Sequence, residues 1–434
     1  MGEFDKEQAI ADIAENLGIS KEYVNFDENK KIYIIKDNNN LKKIHIKNFN
    51  YKLYERYNLF FTKCIFECEI KDTRGLSSDI ENGIFFLKCE FENKILFFNL
   101  YFKNISFILC NFKNNTTFQA CTFKTFCNFE SSVFENFVSF DKSMFLDKVS
   151  FYNTHFHKVP NFSQAIFNGN LNAINANLNF TFDNLEEKIK QKYEEFNKNK
   201  KKEDQKSLDK FANDFRDSFR IFKNALIKDN NALDASNFHK YELYCKEIEL
   251  KNKKYKTLKD KMDKWQLIFY RKLCDHHTDI LQSLNSLILV IGIFVISSVA
   301  MVVGFSYSLG YKPILEHWYF SLDFYNHHIN SIIQDNCLLM IFVNLMILFI
   351  YLGLVGFALC LKYMREFFII ISYVITLLVL AVSPKILIPA MGIFTDKRAM
   401  LDPLSVFGGI YTIIFGFVAF SFIKTIRKNS IVPS

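Results

Sequence analysis

Glycine is scarce in this chain, 14 in 434 residues. Neither a P-loop nor a dinucleotide-binding glycine fingerprint occurs, so the usual backbone cradles for nucleotide phosphates are missing. HExxH is absent, and none of the ten Cys stands in a CxxC pair, which removes the common zinc and dithiol motifs. The N-terminus is polar, so no signal peptide is expected. Four long apolar stretches lack any Asp, Glu, Lys or Arg. Transporters and proton relays place ionisable groups in such stretches, and no TVGYG-like filter is present either. These absences exclude the familiar catalytic signatures. The expectation is a protein that is not an enzyme and carries no cofactor.

What the chain has is phenylalanine, 50 residues of it. Phe recurs at Phe107, Phe112, Phe118, Phe123, Phe129, Phe134, Phe140, Phe145, Phe151, Phe156, Phe162 and Phe167. The steps alternate five and six, so the true period is eleven. Two residues before every second Phe stands a small side chain: Cys110, Cys121, Ser132, Ser143, Thr154 and Ala165. A helix with this spacing would carry Phe on all sides. A short fixed period with one large and one small inward residue predicts a solenoid. Four short faces would close a turn of roughly 20 to 22 residues, and turns would stack at about 4.8 Å.

This pattern resembles the pentapeptide-repeat family, whose motif centres on Phe or Leu with Ala, Cys or Ser two positions earlier. The chain differs by an extra residue in alternate repeats. The resemblance covers about a quarter of the chain and implies a right-handed quadrilateral β-helix. It says little about function, since the family includes DNA mimics, scaffolds and membrane proteins. The segment from Phe219 through Ala235, Phe238 and Glu242 resembles a helical hairpin of membrane-anchored members, which joins solenoid to bilayer.

Around the repeats the reading is as follows. Residues 1–60 form an N-terminal cap: a helical face of Ile10, Ile13 and Leu17 ending at Gly18, then strands at Ile32–Ile35 and near Ile44 and Ile46. Residues 61–182 form the β-helix, starting imperfectly at Phe61, Phe66 and Phe91, with Asp72 to Gly83 as an inserted loop. Residues 183–278 form a helical linker. It begins with a charged, solvated helix or linker over residues 184 to about 204, followed by an αα-hairpin with Phe211, Phe215, Phe219, Phe222 and Leu226 on one helix and Phe238, Tyr241, Tyr244 and Ile248 on the other. Residues 279–434 form a four-helix transmembrane domain, with apolar runs at 280–311, 336–361, 367–383 and 403–423.

Lys251 to Lys272 is basic and interleaved with aromatics. Directly before an apolar run, such a stretch points to an anionic membrane surface rather than to nucleic acid. Lys261, Lys264, Trp265, Arg271 and Lys272 are its expected membrane-interface residues. The same Lys excess places both termini and the solenoid in the cytoplasm of a bacterial inner membrane. His276-His277 reads as an interfacial cap. His317, His327 and His328 are metal candidates in a loop without fixed ligand spacing, and His276-His277 between Asp275 and Asp279 could also ligate a metal. Cys89, Cys110, Cys121 and Cys127 precede repeat Phe residues and are expected as buried free thiols.

The functional expectation is a membrane scaffold that presents the solenoid to a cytoplasmic protein partner. The expected partners are therefore the lipid bilayer, that protein and a homo-oligomer. The alternative is an oligomeric ion channel or pore-forming effector gated by the soluble part. DNA mimicry needs a strongly acidic face, whereas the outward positions mix Lys113, Lys124, Lys142, Lys148 and Lys158 with Glu130, Glu135, Asp141 and Asp147.

Overall fold

The structure is a computed structural model that describes residues 3–39, 42–72, 78–176, 178, 180–198, 201, 205–228, 230–308, 330–360, 365–382 and 403–429. It divides into two compact units, Met1–Lys264 and Trp265–Ser434. Each is described by itself.

In the first unit, helix α1 (Glu3–Leu17) buries Ala9, Ile13, Ala14 and Leu17. Gly18, at φ +67°, ends it. Its amide reaches the Glu15 carbonyl at 3.1 Å and the Ile19 amide reaches Ala14 at 3.0 Å, the paired bonds of a Schellman stop. The strand Val24–Asp27 then pairs antiparallel with Ile32–Ile35. All later pairings between described strands are parallel. Tyr33 lies against Leu59, Leu59 against Ile84 and Ile84 against Ile105. Ser106 follows against Asn128, Asn128 against Ser150 and Ser150 against Asn172. The result is a β-solenoid of about 6 turns at ~22-residue spacing.

The solenoid begins earlier than the Phe pattern suggests. Ile32–Ile35 and Ile44–Ile46 are the strands of its first coil, since Ile44 pairs with Cys64 in register. The early turns are longer. One holds helix α2 (Tyr51–Arg56), whose Tyr54 hydroxyl donates to the buried Asp72 carboxylate at 2.6 Å. The expected loop over Asp72 to Gly83 is corrected in part: Ser78–Leu87 is a strand, paired along Leu100–Ile108 with an irregularity between Phe102 and Asn104. Its Asp79 and Glu81 are exposed, and the ladder satisfies its backbone whatever the side chains are.

Four columns of Phe fill the interior. Phe61, Phe86, Phe107, Phe129 and Phe151 stack with ring centroids 4.8–5.5 Å apart. Phe66, Phe91, Phe112, Phe134 and Phe156 do so at 4.5–5.3 Å. Phe97, Phe118, Phe140 and Phe162 form the third column, and Phe102, Phe123, Phe145 and Phe167 the fourth. Between columns the rings meet edge to face, as at Phe107–Phe118 and Phe129–Phe140. Stacking along the axis and edge contacts across it are the two favoured aromatic geometries.

The five-residue steps turn through a left-handed residue. Leu109, Ala120, Ser131, Lys142, Asn153, Gln164 and Asn175 all have φ between +52° and +58°. No glycine stands at these corners, so each is strained by about 1 kcal/mol or more. The ladder bonds of neighbouring turns hold them there.

Three helices follow. α3 (Phe182–Asn197) was expected to be solvated, but it buries Phe182, Leu185 and Ile189. Its Thr181 cap accepts from the Asn184 amide at 3.3 Å. α4 (Leu208–Lys228) and α5 (Ala232–Asn252) form the expected hairpin and close the end of the solenoid. Phe222 of α4 sits edge-on to Phe162 at 4.7 Å and stacks on Phe238 at 5.0 Å. The Phe162 amide donates to Ser218 Oγ at 2.8 Å, and Tyr241 donates to the Leu178 carbonyl.

α6 (Leu258–Cys274) carries the chain from the first unit into the second. The second unit then holds α7 (Ile280–Ser308), α8 (Asn330–Asp335), α9 (Cys337–Cys360), α10 (Arg365–Val382) and α11 (Pro403–Asn429). Phe294 of α7 stacks on Tyr411 of α11 at 3.8 Å. Gly292 allows α10 close: a Cβ there would lie 2.3 Å from Ser372 Oγ. Among the described residues, three helical segments are long and apolar enough to cross a membrane: Ile280–Met301, Cys337–Cys360 and Ser405–Lys428. The expected span at 367–383 corresponds to α10. With 18 residues that helix is about 27 Å long at ~1.5 Å per residue, and it opens on the charged pair Arg365-Glu366.

The columns make a direct prediction. Phe140 is fully buried between Phe118 and Phe162, at 5.1 and 4.9 Å. Phe140→Ala should cost about 3–5 kcal/mol through lost transfer and the cavity left behind. Denaturant unfolding of the full chain in detergent measures it, and a shift below 1 kcal/mol, roughly the cost of a tolerated core swap, contradicts the column.

Candidate interaction surface

The inward positions of the solenoid are filled by side chains. Every expected ladder Phe from Phe107 to Phe162 is buried, and Phe167 is partly so. The small residues before them share a second property, a proton to donate. Cys89 Sγ donates to the Phe61 carbonyl one turn back and Cys110 Sγ to Phe86, both at 3.5 Å. Ser132 Oγ donates to Phe107 and Thr154 Oγ1 to Phe129, both at 2.9 Å. In the neighbouring column Cys121 donates to Phe97 and Ser143 to Phe118. Ser132 Oγ also accepts from the Cys110 amide at 3.0 Å. Cys, Ser and Thr interchange because each fits beside the rings and bonds a Phe carbonyl of the previous turn. Ala165, in the last turn, is the exception. Burial pushes the Cys121 thiol up to about 12, so it remains a protonated donor, and burial pushes Cys127 up as well.

The outward positions alternate in sign. Lys113 bridges Glu90 at 3.4 Å and Glu92 at 3.0 Å, while Lys43 also pairs with Glu90. Lys103 and Lys124 share Glu81, at 2.9 and 3.3 Å. Such exposed pairs contribute little to stability, but they leave no single-signed field on these faces. One corner differs. Leu109, Tyr152 and Ile174 are exposed along it, Tyr152 and Ile174 on successive turns and Leu109 two turns before Tyr152, with Glu130 and Ser131 on the turn between. This edge combines apolar side chains with polar backbone-like neighbours.

The capping hairpin carries the densest charge cluster. Glu242 of α5 accepts from Arg220 at 3.0 Å and Lys223 at 2.7 Å, both from α4, and lies 3.2 Å from His239. Burial alone would push this carboxyl up, but His239, Lys223 and Arg220 bring it down to about 2. Arg216 of α4 pairs with Glu249 of α5 beside it.

Among the expected membrane-interface residues, Lys261 and Trp265 are exposed on α6, and Lys264, Arg271 and Lys272 are half-exposed. His277 Nδ1 lies 3.0 Å from Thr425 Oγ1 and 3.4 Å from Cys274 Sγ. Burial, with Lys424 and Lys428 nearby, lowers it to about 4. Asp275, His276 and His277 all have positive φ, a left-handed turn at the start of the first apolar helix. Among the described residues no group of three or more His, Cys, Asp or Glu could hold a metal. His317, His327 and His328 lie outside the described residues.

The Phe period does not reveal the closures. At the first end Phe49 lies edge-on to Phe61 and Phe66, at 5.8 and 5.6 Å. At the other stand Ser218, Phe222 and Tyr241. These residues follow no repeat, although the amphipathic faces of α4 and α5 include Phe222 and Tyr241. No family model, curated protein or solved structure matches this chain significantly.

Two predictions follow from this chemistry. Ser132→Ala strands the Phe107 carbonyl and the Cys110 amide and should cost about 1–3 kcal/mol. Ser132→Cys should cost clearly less, because a thiol already bonds the equivalent carbonyl one turn earlier; equal losses in denaturant unfolding would refute the donor role. Glu242 has a depressed carboxyl, so its contribution is complete above its ordinary value of 4.5 and is lost as pH falls toward about 2. Protection of the α4–α5 amides in hydrogen exchange should fall over that window in the native chain. In Glu242→Gln the acid-dependent fall should flatten.

Proposed function

We propose that this chain is a non-catalytic integral membrane protein that presents its repeat solenoid as a rigid docking surface for a protein partner. The observation behind this reading is the filled interior. Four Phe columns leave no room for a ligand between the faces, and both ends are closed. Recognition therefore belongs to the outer surface, and the edge bearing Leu109, Tyr152 and Ile174 is one of its exposed apolar parts. The second unit supplies the anchor through three helices of spanning length and composition.

The finer architecture is part of the same proposal. Four columns and two kinds of corner fit a right-handed, four-sided coil. α10 makes a fourth crossing, which returns both termini to one side. The Lys-rich flank of α6 and Arg427-Lys428 at the end of α11 put that side in the cytoplasm by the positive-inside rule. The inner membrane of a bacterium is the proposed setting. A homo-oligomer is compatible with this arrangement but not required by it.

The test is site-specific photo-crosslinking of the full chain in living cells. Cross-linking residues at Leu109 and Tyr152 should give one discrete protein adduct, and one at Lys148 should not. In parallel, vesicles containing the purified chain should stay sealed to ions. No adduct at either position, together with ion flux through the vesicles, replaces the scaffold by the channel.

A further inference from the structure

Helix α6 is built the wrong way round for a helix in water. Leu258, Met262, Trp265 and Phe269 recur at steps of four, three and four, which places them on one face. That face is the exposed one: Leu258 is 76%, Met262 65% and Trp265 70% exposed, and Phe269 is exposed as well. The two acids of the helix, Asp260 and Asp263, lie on the opposite, half-buried side. Lys259 and Lys261 are exposed beside the apolar stripe, and Arg271 and Lys272 stand in the last turn.

The helix is firmly started. Thr257 and Asp260 form a reciprocal cap: the Asp260 amide donates to Thr257 Oγ1 at 3.1 Å, and the Thr257 amide to Asp260 Oδ2 at 2.9 Å. Lys253 holds the same carboxylate at 2.9 Å. The rotation of the stripe is thus not a consequence of a frayed start. At the other end Phe269 rests against Phe417 of α11, with ring centroids 5.8 Å apart. Phe417 belongs to a flank of α11 with Ile413 and Phe420, all exposed and all part of a segment able to span a bilayer. Within the second unit, the Trp265–Phe269 end of the stripe therefore adjoins surface suited to lipid.

We propose that α6 lies in the membrane surface, with Leu258, Met262, Trp265 and Phe269 sunk to the boundary of headgroups and acyl chains and Lys259 and Lys261 on anionic phospholipid headgroups. A stripe of large apolar residues flanked by Lys matches an interfacial helix, which sits about 5–10 Å into that boundary. Lys side chains spread their stems over the apolar layer and keep the ammonium at the phosphates. A soluble protein partner would leave the junction between Phe269 and Phe417 unexplained, because that junction passes from the stripe to lipid-facing surface without a break. The inference rests on the membrane reading above and adds a site and a ligand class to it.

The chain has two Trp, so Trp318→Phe leaves Trp265 as the sole indole. The full chain carrying this change is reconstituted into vesicles of phosphatidylcholine, alone or mixed with phosphatidylglycerol. Flotation that survives alkaline carbonate establishes the membrane reading by itself. Trp265 emission should then be blue-shifted. Lipids brominated near the headgroup should quench it at least about twofold more than aqueous iodide does, as an interfacial depth requires. The phosphatidylglycerol mixture should deepen the effect, and Lys259→Glu with Lys261→Glu should abolish that dependence. A floating protein whose Trp265 stays open to iodide overturns the inference and leaves the membrane reading intact. A Trp265 shielded from both quenchers also overturns it, because protein rather than lipid then covers the stripe. Failure to float sinks the membrane reading first.

Discussion

The structure depends on one constraint: a residue must meet its own kind one turn later. The register of about 22 residues brings Phe over Phe, and ring stacking is favourable only when that register is kept. A slip by one residue would turn every ring outward, so the alternation of inward and outward side chains locks the coil. The inward donors add a second lock. From Cys64 to Thr154 a sulfur or oxygen reaches back to a carbonyl of the previous turn. These bonds explain how left-handed corners persist without glycine. Each corner is strained alone, and those followed by Cys, Ser or Thr are tied to the turn before.

That constraint also decides what was legible in the sequence. The Phe period is a direct image of the columns, so the solenoid, its spacing and its inward residues could be read from residues 107 to 167 alone. The small residue before alternate Phe was legible as a size requirement. Its role as a donor was not, because Cys is commonly taken as a small apolar residue, and only the carbonyl beside it makes it a hydrogen-bond partner. Irregular turns hid the rest. Ile32–Ile35 carries Ile35 where later turns carry Phe, and the start of the long strand Ser78–Leu87 reads as polar because Asp79 and Glu81 face water while the backbone completes a ladder.

The ends follow a different logic from the middle, and this is why periodicity misses them. A solenoid without closures would expose unpaired backbone and the last rings of each column. Closure needs an aromatic that enters from outside the repeat, and Phe49 and Phe222 do this from a loop and a helix. The charged residues of α4 and α5 then hold the lid as a unit: Glu242 and Glu249 on one helix face Arg220, Lys223 and Arg216 on the other. A helix pair with so much apolar surface toward the rings needs its polar side tied across, or the two helices could slide along the column tops.

The same reasoning separates the two amphipathic patterns in this chain. α4 and α6 both show a stripe at helical spacing, and sequence alone assigns each an apolar face without saying what covers it. In α4 the stripe Phe211, Phe215, Phe219, Phe222 is buried against its own unit. In α6 the stripe faces out while the acids face in. Composition marks the difference: Lys flanks the stripe of α6, and Trp265 stands at its middle. A Lys-flanked stripe is expensive to bury in protein, where each ammonium must find a partner. It is cheap at a headgroup layer, where the stem meets acyl chains and the charge meets phosphate. The orientation of one helix thus follows from where its cations can go.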